Sequence, residues 1–356
     1  MKFGRKIIII SSVFSCFFLF SSCKQELSPS HKQELSSSRK QELSSCNPEK
    51  KYLVVKTYAG MANRLRVLAS SRVMADLTGR HLVVYWEKID KEMPASWDDL
   101  FLNPMTMIEN SSLPAQGCDI ERIQSALSDD QIVENMGIKN DLNDQEKLAK
   151  IPQFDKPIVY FETSLNFAPD KKYLSTDEYN LRYAQFYKNL VPTKWAQDEI
   201  KAFKKKHDFE NRYVVGVHYR SWGAGPADEH DNLWRDLNFQ YVPDYLKEMK
   251  AVSSRLPDQI DNKKEVAFFL ATDSPDAKKA FMSDPDLKNR IITRDAPIGR
   301  DTVRGQESAV VDFFLLGDGE FIIGTYQSSF SDETQFLTKQ KYKKNIGKAA
   351  YKNSKQ

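Results

Sequence analysis

The run Val214-Val215-Gly216-Val217-His218-Tyr219-Arg220 constrains this chain more than any other segment. Apolar residues lead up to a histidine and, two positions on, an arginine; polar residues, glycines and a proline follow. A short apolar run bounded by turn residues reads as a buried strand of the kind found in parallel sheets. In open parallel sheets ligands bind where strands end at their carboxyl edge. An arginine placed there offers a planar fork of donors suited to phosphate. The segment therefore points to a nucleotide-type diphosphate site with a histidine beside it.

The surroundings agree with an α/β chain. Leu53-Val54-Val55 reads as a strand, Tyr58 to Ala62 as a loop, and Leu82 to Trp86 as a second strand. Between them Leu65, Leu68, Ala69, Val73 and Leu77 share one helical face, with Asn63 as the expected cap and Gly79 as the stop. This strand–helix–strand unit opens a doubly wound domain. The stretch from Glu87 to Asp155 is polar and shows no clear period, and Ile158 to Phe161 follows as a strand. From Asp177 to Phe209 the pattern is helical, broken at Pro192. Beyond the Val214–Val217 strand come strands at Val266–Leu270, Arg290–Thr293 and Phe321–Gly324, with a helix through Val310 to Leu315 and another from Asp332. Two such halves facing one another leave a cleft between them, a common place for a ligand.

The N-terminus has a different character. Lys2, Arg5 and Lys6 precede an apolar run from Ile7 to Phe20, and Ser21, Ser22 and Cys23 follow. This describes a secretory signal ending in a bacterial lipoprotein box with Cys23 as the lipidated residue, or an uncleaved signal anchor. Behind it Lys-Gln-Glu-Leu-Ser occurs at Lys24–Ser28, Lys32–Ser36 and Lys40–Ser44. One leucine per unit cannot build a core, so this stretch reads as a flexible tether. Of the four cysteines only Cys118 lies in the body, which excludes a disulfide within it. A formal net charge of +3 makes no case for nucleic-acid binding. No acid follows Glu333, and the lysines after it form either a solvated tail or a contact for anionic lipid or an anionic acceptor.

Polar clusters fall at the strand ends of the second half or on the helix that feeds them: His218 with Arg220, Thr272 with Asp273, Asp312, and Ser328-Ser329-Phe330-Ser331. Arg220 would neutralise a diphosphate. Ser328, Ser329 and backbone N–H groups would bind its oxygens, and His218, Asp273 and Asp312 could hydrogen-bond a base or ribose. Asp284-Pro285-Asp286 spells the aspartate pair of metal-dependent glycosyltransferases, but it sits in a polar stretch after a helix.

In the order of these clusters the chain resembles the fucosyltransferase superfamily of glycosyltransferases. Gly60-Met61-Ala62-Asn63-Arg64-Leu65 resembles its glycine–asparagine loop and Gly216 to Arg220 its histidine-x-arginine motif. Phe269 to Asp273 and Asp312 to Ser331 resemble its later elements. Many relatives carry a second arginine directly after the first and an acid two places later; here these are Ser221 and Gly223. The protein O-fucosyltransferases also lack the arginine pair.

The resemblance implies a GT-B-like fold of two Rossmann-type domains facing a cleft, a GDP-sugar donor, and inversion without metal or other cofactor. By position, Arg220 and Ser329 would hold the donor phosphates, with Asp273, Ser328 and Phe330 in the same donor site. His218 and Asp312 would hold guanine, and Gly60, Asn63 and Arg64 would form the loop across the cleft. Arg220 would stabilise the leaving diphosphate, with Glu229, in a Gly/Pro-rich loop beside Asp228 and Asp236, as the favoured base. The acceptor would be a glycan or protein hydroxyl. The expected organisation is a signal segment over 1–23, a linker over 24–51, an acceptor-side domain over 52–205, a nucleotide-sugar domain over 206–340 and a basic tail over 341–356. A second reading keeps the fold in a membrane-tethered lipoprotein that binds glycan or nucleotide without catalysis.

Overall fold

Two five-stranded sheets, parallel throughout, organise the chain. The computed structural model describes residues 50–108, 133–137, 142–221, 242–255, 264–297, 299–340 and 343–346. The expected signal segment and linker, Cys118 and the stretch that carries Glu229 lie outside the described residues. Both sheets belong to one compact unit.

The first sheet contains β1 (Tyr52–Thr57), β2 (His81–Trp86), β3 (Thr106–Ile108), β4 (Val133–Asn135) and β5 (Ile158–Thr163), in the order β3-β2-β1-β5-β4. Its helices are α1 (Met61–Thr78), α2 (Trp97–Leu100) and α3 (Leu142–Leu148). Then α4 (Thr176–Lys188) and α5 (Lys194–Lys206) lead to the second sheet. That sheet contains β6 (Arg212–Tyr219), β7 (Glu265–Thr272), β8 (Ile291–Thr293), β9 (Ile322–Thr325) and β10 (Lys343–Ile346), in the order β10-β9-β6-β7-β8. Its helices are α6 (Val242–Arg255), α7 (Pro275–Met282), α8 (Val303–Gly317) and the short α9 (Ser329–Thr334).

In each sheet the chain moves outward from the first strand on one side, then returns to the other. The reversals fall between β1 and β5 and between β6 and β9. Such switch points open a crevice at the carboxyl ends of the two strands.

Burial on both faces explains the near-continuous apolar runs. One face of β1 and β5, through Leu53, Val55, Val159 and Phe161, joins the core that also takes in Phe269, Phe313 and Ile322 of the second half. The opposite face of the second sheet packs Val215, Val217, Phe268 and Leu270 on Tyr245, Met249 and Phe281. Helix α1 packs against both α4 and α9, so it is buried well beyond one stripe.

The sequence reading differs at several ends. Asn63 is not the cap of α1: the helix begins at Met61, with Gly60 at the cap position and no side-chain cap. Gly79 does end it, in the left-handed conformation (φ 63°) with its N–H on Ala75 O. Ser274 caps α7, accepting Ala277 N–H. Helix α9 starts at Ser329, three residues before Asp332. Lys343–Ile346, expected in a basic tail, pairs with β9 as the edge strand; its lysines suit an exposed edge.

Gly216 lets α8 close on the centre of β6. A Cβ there would lie 3.1 Å from Leu316 O and 3.2 Å from Leu316 Cδ2. Gly216→Val should therefore destabilise the fold by about 1–3 kcal/mol, as overpacked cores do. Urea unfolding measures this, and an unchanged midpoint would show that α8 is free to shift.

Candidate functional site

Strand β6 is the centre of the second sheet, and its carboxyl end holds the polar residues that the sequence singled out. β6 pairs with β9 only at Gly216↔Ile322 and Val217↔Ile323. Beyond that the two strand ends are joined by side chains. Thr325 Oγ1 donates to His218 O (2.9 Å) and accepts Arg220 N–H (3.0 Å). Its one proton is thereby used, so the Tyr245 hydroxyl at 2.9 Å donates to it. Ser331 Oγ accepts Thr325 N–H (2.9 Å) and lies 2.7 Å from His218 Nδ1.

The His218 ring stacks on Phe330, with centroids 4.9 Å apart and planes at 29°. Phe330 in turn meets the edge of Phe313. Burial pushes the His218 pKa down to about 4; Asp273 opposes the shift and Arg220 adds to it. The imidazole is thus neutral at pH 7, a hydrogen-bonding ring and not a cation.

The Arg220 guanidinium pairs with the Asp273 carboxylate, whose Oδ1 also accepts Ser221 N–H at 2.8 Å. The pairing follows from register, because Tyr219 of β6 lies beside Thr272 of β7. Both side chains keep about a quarter of their surface open, 24% for Arg220 and 27% for Asp273. Arg220 is therefore held and still accessible. Ser221 thus contributes a backbone donor, not a second cation, to the same carboxylate.

Ser328 sits buried at the cap position of α9 without a side-chain cap bond, and Ser329 and Phe330 follow half-buried. Gln327 just before them holds a left-handed φ of 58°, a conformation a non-glycine residue keeps only where its surroundings enforce it. Asp312 belongs to a separate cluster. It accepts Arg294 Nη1 at 2.9 Å, and that nitrogen also reaches Ser308 O and Ser308 Oγ. Burial raises the Asp312 carboxyl and Arg294 lowers it, with a net rise. Among the described residues no hydrogen bond links Asp312 to His218. Asp284 and Asp286 both bridge Lys250 at 2.8 Å, which accounts for that aspartate pair structurally. No group of three or more His, Cys, Asp or Glu among the described residues could hold a metal ion.

In the first half, the loop from β1 to α1 also holds a left-handed residue, Ala59 (φ 64°). Arg64 explains how. Its Nε donates to Ala59 O (2.8 Å), its Nη1 to Glu87 O (2.7 Å), and its guanidinium lies 4.8 Å over the Trp86 ring. Burial pulls the Arg64 pKa down to about 10, partly offset by Glu92 and Glu87. Its Nη2 is buried with no hydrogen-bond partner among the described residues. Arg64 thus works from behind the loop. Gly60 at the tip faces the second half: a Cβ there would lie 3.8 Å from Arg300 Nη1. Asn63 is half-buried in the first turn of α1.

The contact that joins α9 to α4 lies outside the clusters that the sequence singled out. Glu333, 3% exposed, accepts the hydroxyls of Tyr183 (2.8 Å) and Tyr187 (2.7 Å) on Oε2. Burial raises its pKa to about 7, against the tyrosine bonds and Arg66, which lower it. The signal for it was a tyrosine pair four residues apart on one helix.

Two solved fucosyltransferases share this architecture. One is NodZ from Bradyrhizobium, 17% identical, with a TM-score of 0.52 over 81% of this chain and 94% of that one. The other is a variant of Arabidopsis thaliana FUT1 in complex with GDP, 15% identical, with a TM-score of 0.54 over 85% of this chain and 73% of that one. No family model matches the sequence, and neither does any curated protein. The likeness shows the fold alone: two parallel α/β sheets in a GT-B arrangement, as in these two enzymes.

Glu333 sets a pH dependence. With its pKa raised from 4.5 to about 7, the stability kept while the carboxyl is neutral is lost as pH rises through about 7. Glu333→Gln removes that loss. Relative to the wild type it should gain on the order of 3 kcal/mol between acid and alkaline pH. Urea unfolding across that range reads the difference, and a gap that does not vary with pH would mean the carboxyl titrates normally.

Proposed function

We propose that the protein is a membrane-tethered glycosyltransferase of the fucosyltransferase type. It transfers a sugar from a GDP-sugar to a glycan or protein hydroxyl, with inversion and without a metal ion. The observation that carries this reading is the accessible Arg220 guanidinium at the β6–β9 switch point, beside the neutral His218 ring. A diphosphate needs a cation that is fixed but not sealed, and Asp273 fixes Arg220 while leaving part of it open. A neutral imidazole suits an uncharged base, since it brings no charge to be desolvated.

In this reading Arg220 and Ser329 hold the donor diphosphate, with Ser328 beneath them. His218 and Phe330 face the guanine side, with Asp312 further along. Asp273 acts through Arg220. Gly60, Asn63 and Arg64 shape the acceptor-side loop. The reaction is one displacement. The acceptor oxygen bonds to the anomeric carbon as the bond to the diphosphate oxygen breaks on the opposite face. Glu229 takes the acceptor proton, and Arg220 stabilises the charge left on the GDP. The apolar N-terminal segment, through a lipidated Cys23 or as an intact anchor, ties the body to a membrane.

Isothermal titration with GDP, GDP-fucose and GDP-mannose tests the donor assignment; no binding to any of them would eliminate it. Arg220→Ala should weaken GDP by about 10- to 100-fold, the worth of a charge-assisted contact. Asp273→Asn on that background removes the unpaired acid, and restored affinity would mean that Arg220 only masks Asp273. Binding without transfer to any acceptor would favour the non-catalytic lipoprotein.

A further inference from the structure

Helix α9 has six residues, too few to hold itself in place without tertiary contacts. Yet it carries the two residues that define the His218 ring. Phe330 stacks on the imidazole, and Ser331 bonds Nδ1 while accepting Thr325 N–H. Its anchor is at the other end. Glu333 receives two hydroxyls from α4, and just past the helix Phe336 stacks on Tyr187 (5.4 Å, 14°) and meets the edge of Tyr183 (5.0 Å, 64°). Tyr183 and Tyr187 are one helical turn apart, so they reach one carboxylate from one face.

We propose that Glu333 is a positioning residue of the donor site: by binding Tyr183 and Tyr187 it seats α9 so that Ser331 and Phe330 hold the His218 ring in place. This rests on the assignment of His218 to the base of the donor. Glu333 touches no reacting atom. Its effect passes from α4 through two residues of α9 to the imidazole. The groups that face it are Tyr183, Tyr187 and Tyr179 from α4, Arg66 from α1 and Asp332 from its own helix. A glutamine at 333 keeps an oxygen for both hydroxyls, whereas a leucine keeps the bulk and removes the acceptor.

Imidazole NMR of the full chain without ligand tests the idea, with His218 assigned by its absence in His218→Asn. In the wild type and in Glu333→Gln the His218 ring should stay neutral and hydrogen-bonded from pH 5.5 to 8.5. In Glu333→Leu its resonances should move, and the ring should titrate near the ordinary histidine value of about 6.5. GDP affinity should fall about tenfold in the leucine variant and hold in the glutamine variant. A folded Glu333→Leu protein whose His218 signals superimpose on the wild type would overturn the proposal. If that variant does not fold, Tyr183→Phe with Tyr187→Phe removes both donors, keeps the rings, and is read in the same way. A wild type that fails to bind GDP, with His218 responding as described, would end the donor reading and leave the positioning role standing.

Discussion

The hydroxyl of Thr325 does for two strand ends what backbone pairing no longer can. β6 and β9 diverge after two paired residues, and the gap would expose a carbonyl and an N–H at the sheet centre. Thr325 takes both, His218 O as donor and Arg220 N–H as acceptor, with Tyr245 completing it. Unmade hydrogen bonds at such a place cost about 1–3 kcal/mol each, so the divergence is stable only because it is filled. The same divergence creates the space in which His218 and Arg220 stand side by side.

Two arginines are held in opposite ways, one paired with a carboxylate and open, the other buried and held by carbonyls. Arg220 is the first kind, balanced by Asp273 and still in reach of solvent. Arg64 is the second, bound to two carbonyl oxygens with Nη2 left over. Exchanging these environments would give an inaccessible anion site and a loose loop. The buried carboxylate of Glu333 is kept by two hydroxyl donors rather than by a contacting cation.

Much of the fold was legible. Apolar runs at Leu53, Leu82, Ile158, Val214 and Val266 are strands because a sheet covered on both faces needs side chains that shed water on both sides. Helix ends were less legible. Asn63 has the chemistry of a cap, yet Gly60 takes the position because the loop turns through Ala59 with Arg64 behind it. β10 was hidden because an edge strand with one paired neighbour tolerates lysines that a central strand would not.

The candidate site divides in the same way. Sequence alone determined that His218 and Arg220 close a buried strand, since that needs only the order of apolar and polar residues along one segment. It also determined that serines follow a later strand. Tertiary structure decided the partners: that Arg220 meets Asp273, that Asp312 turns to Arg294, and that Glu333 finds two tyrosines of α4. Those pairs lie 53, 18, 150 and 146 residues apart or span different elements. Strand register and helix packing bring them together, and neither is written in the local spacing of the residues themselves.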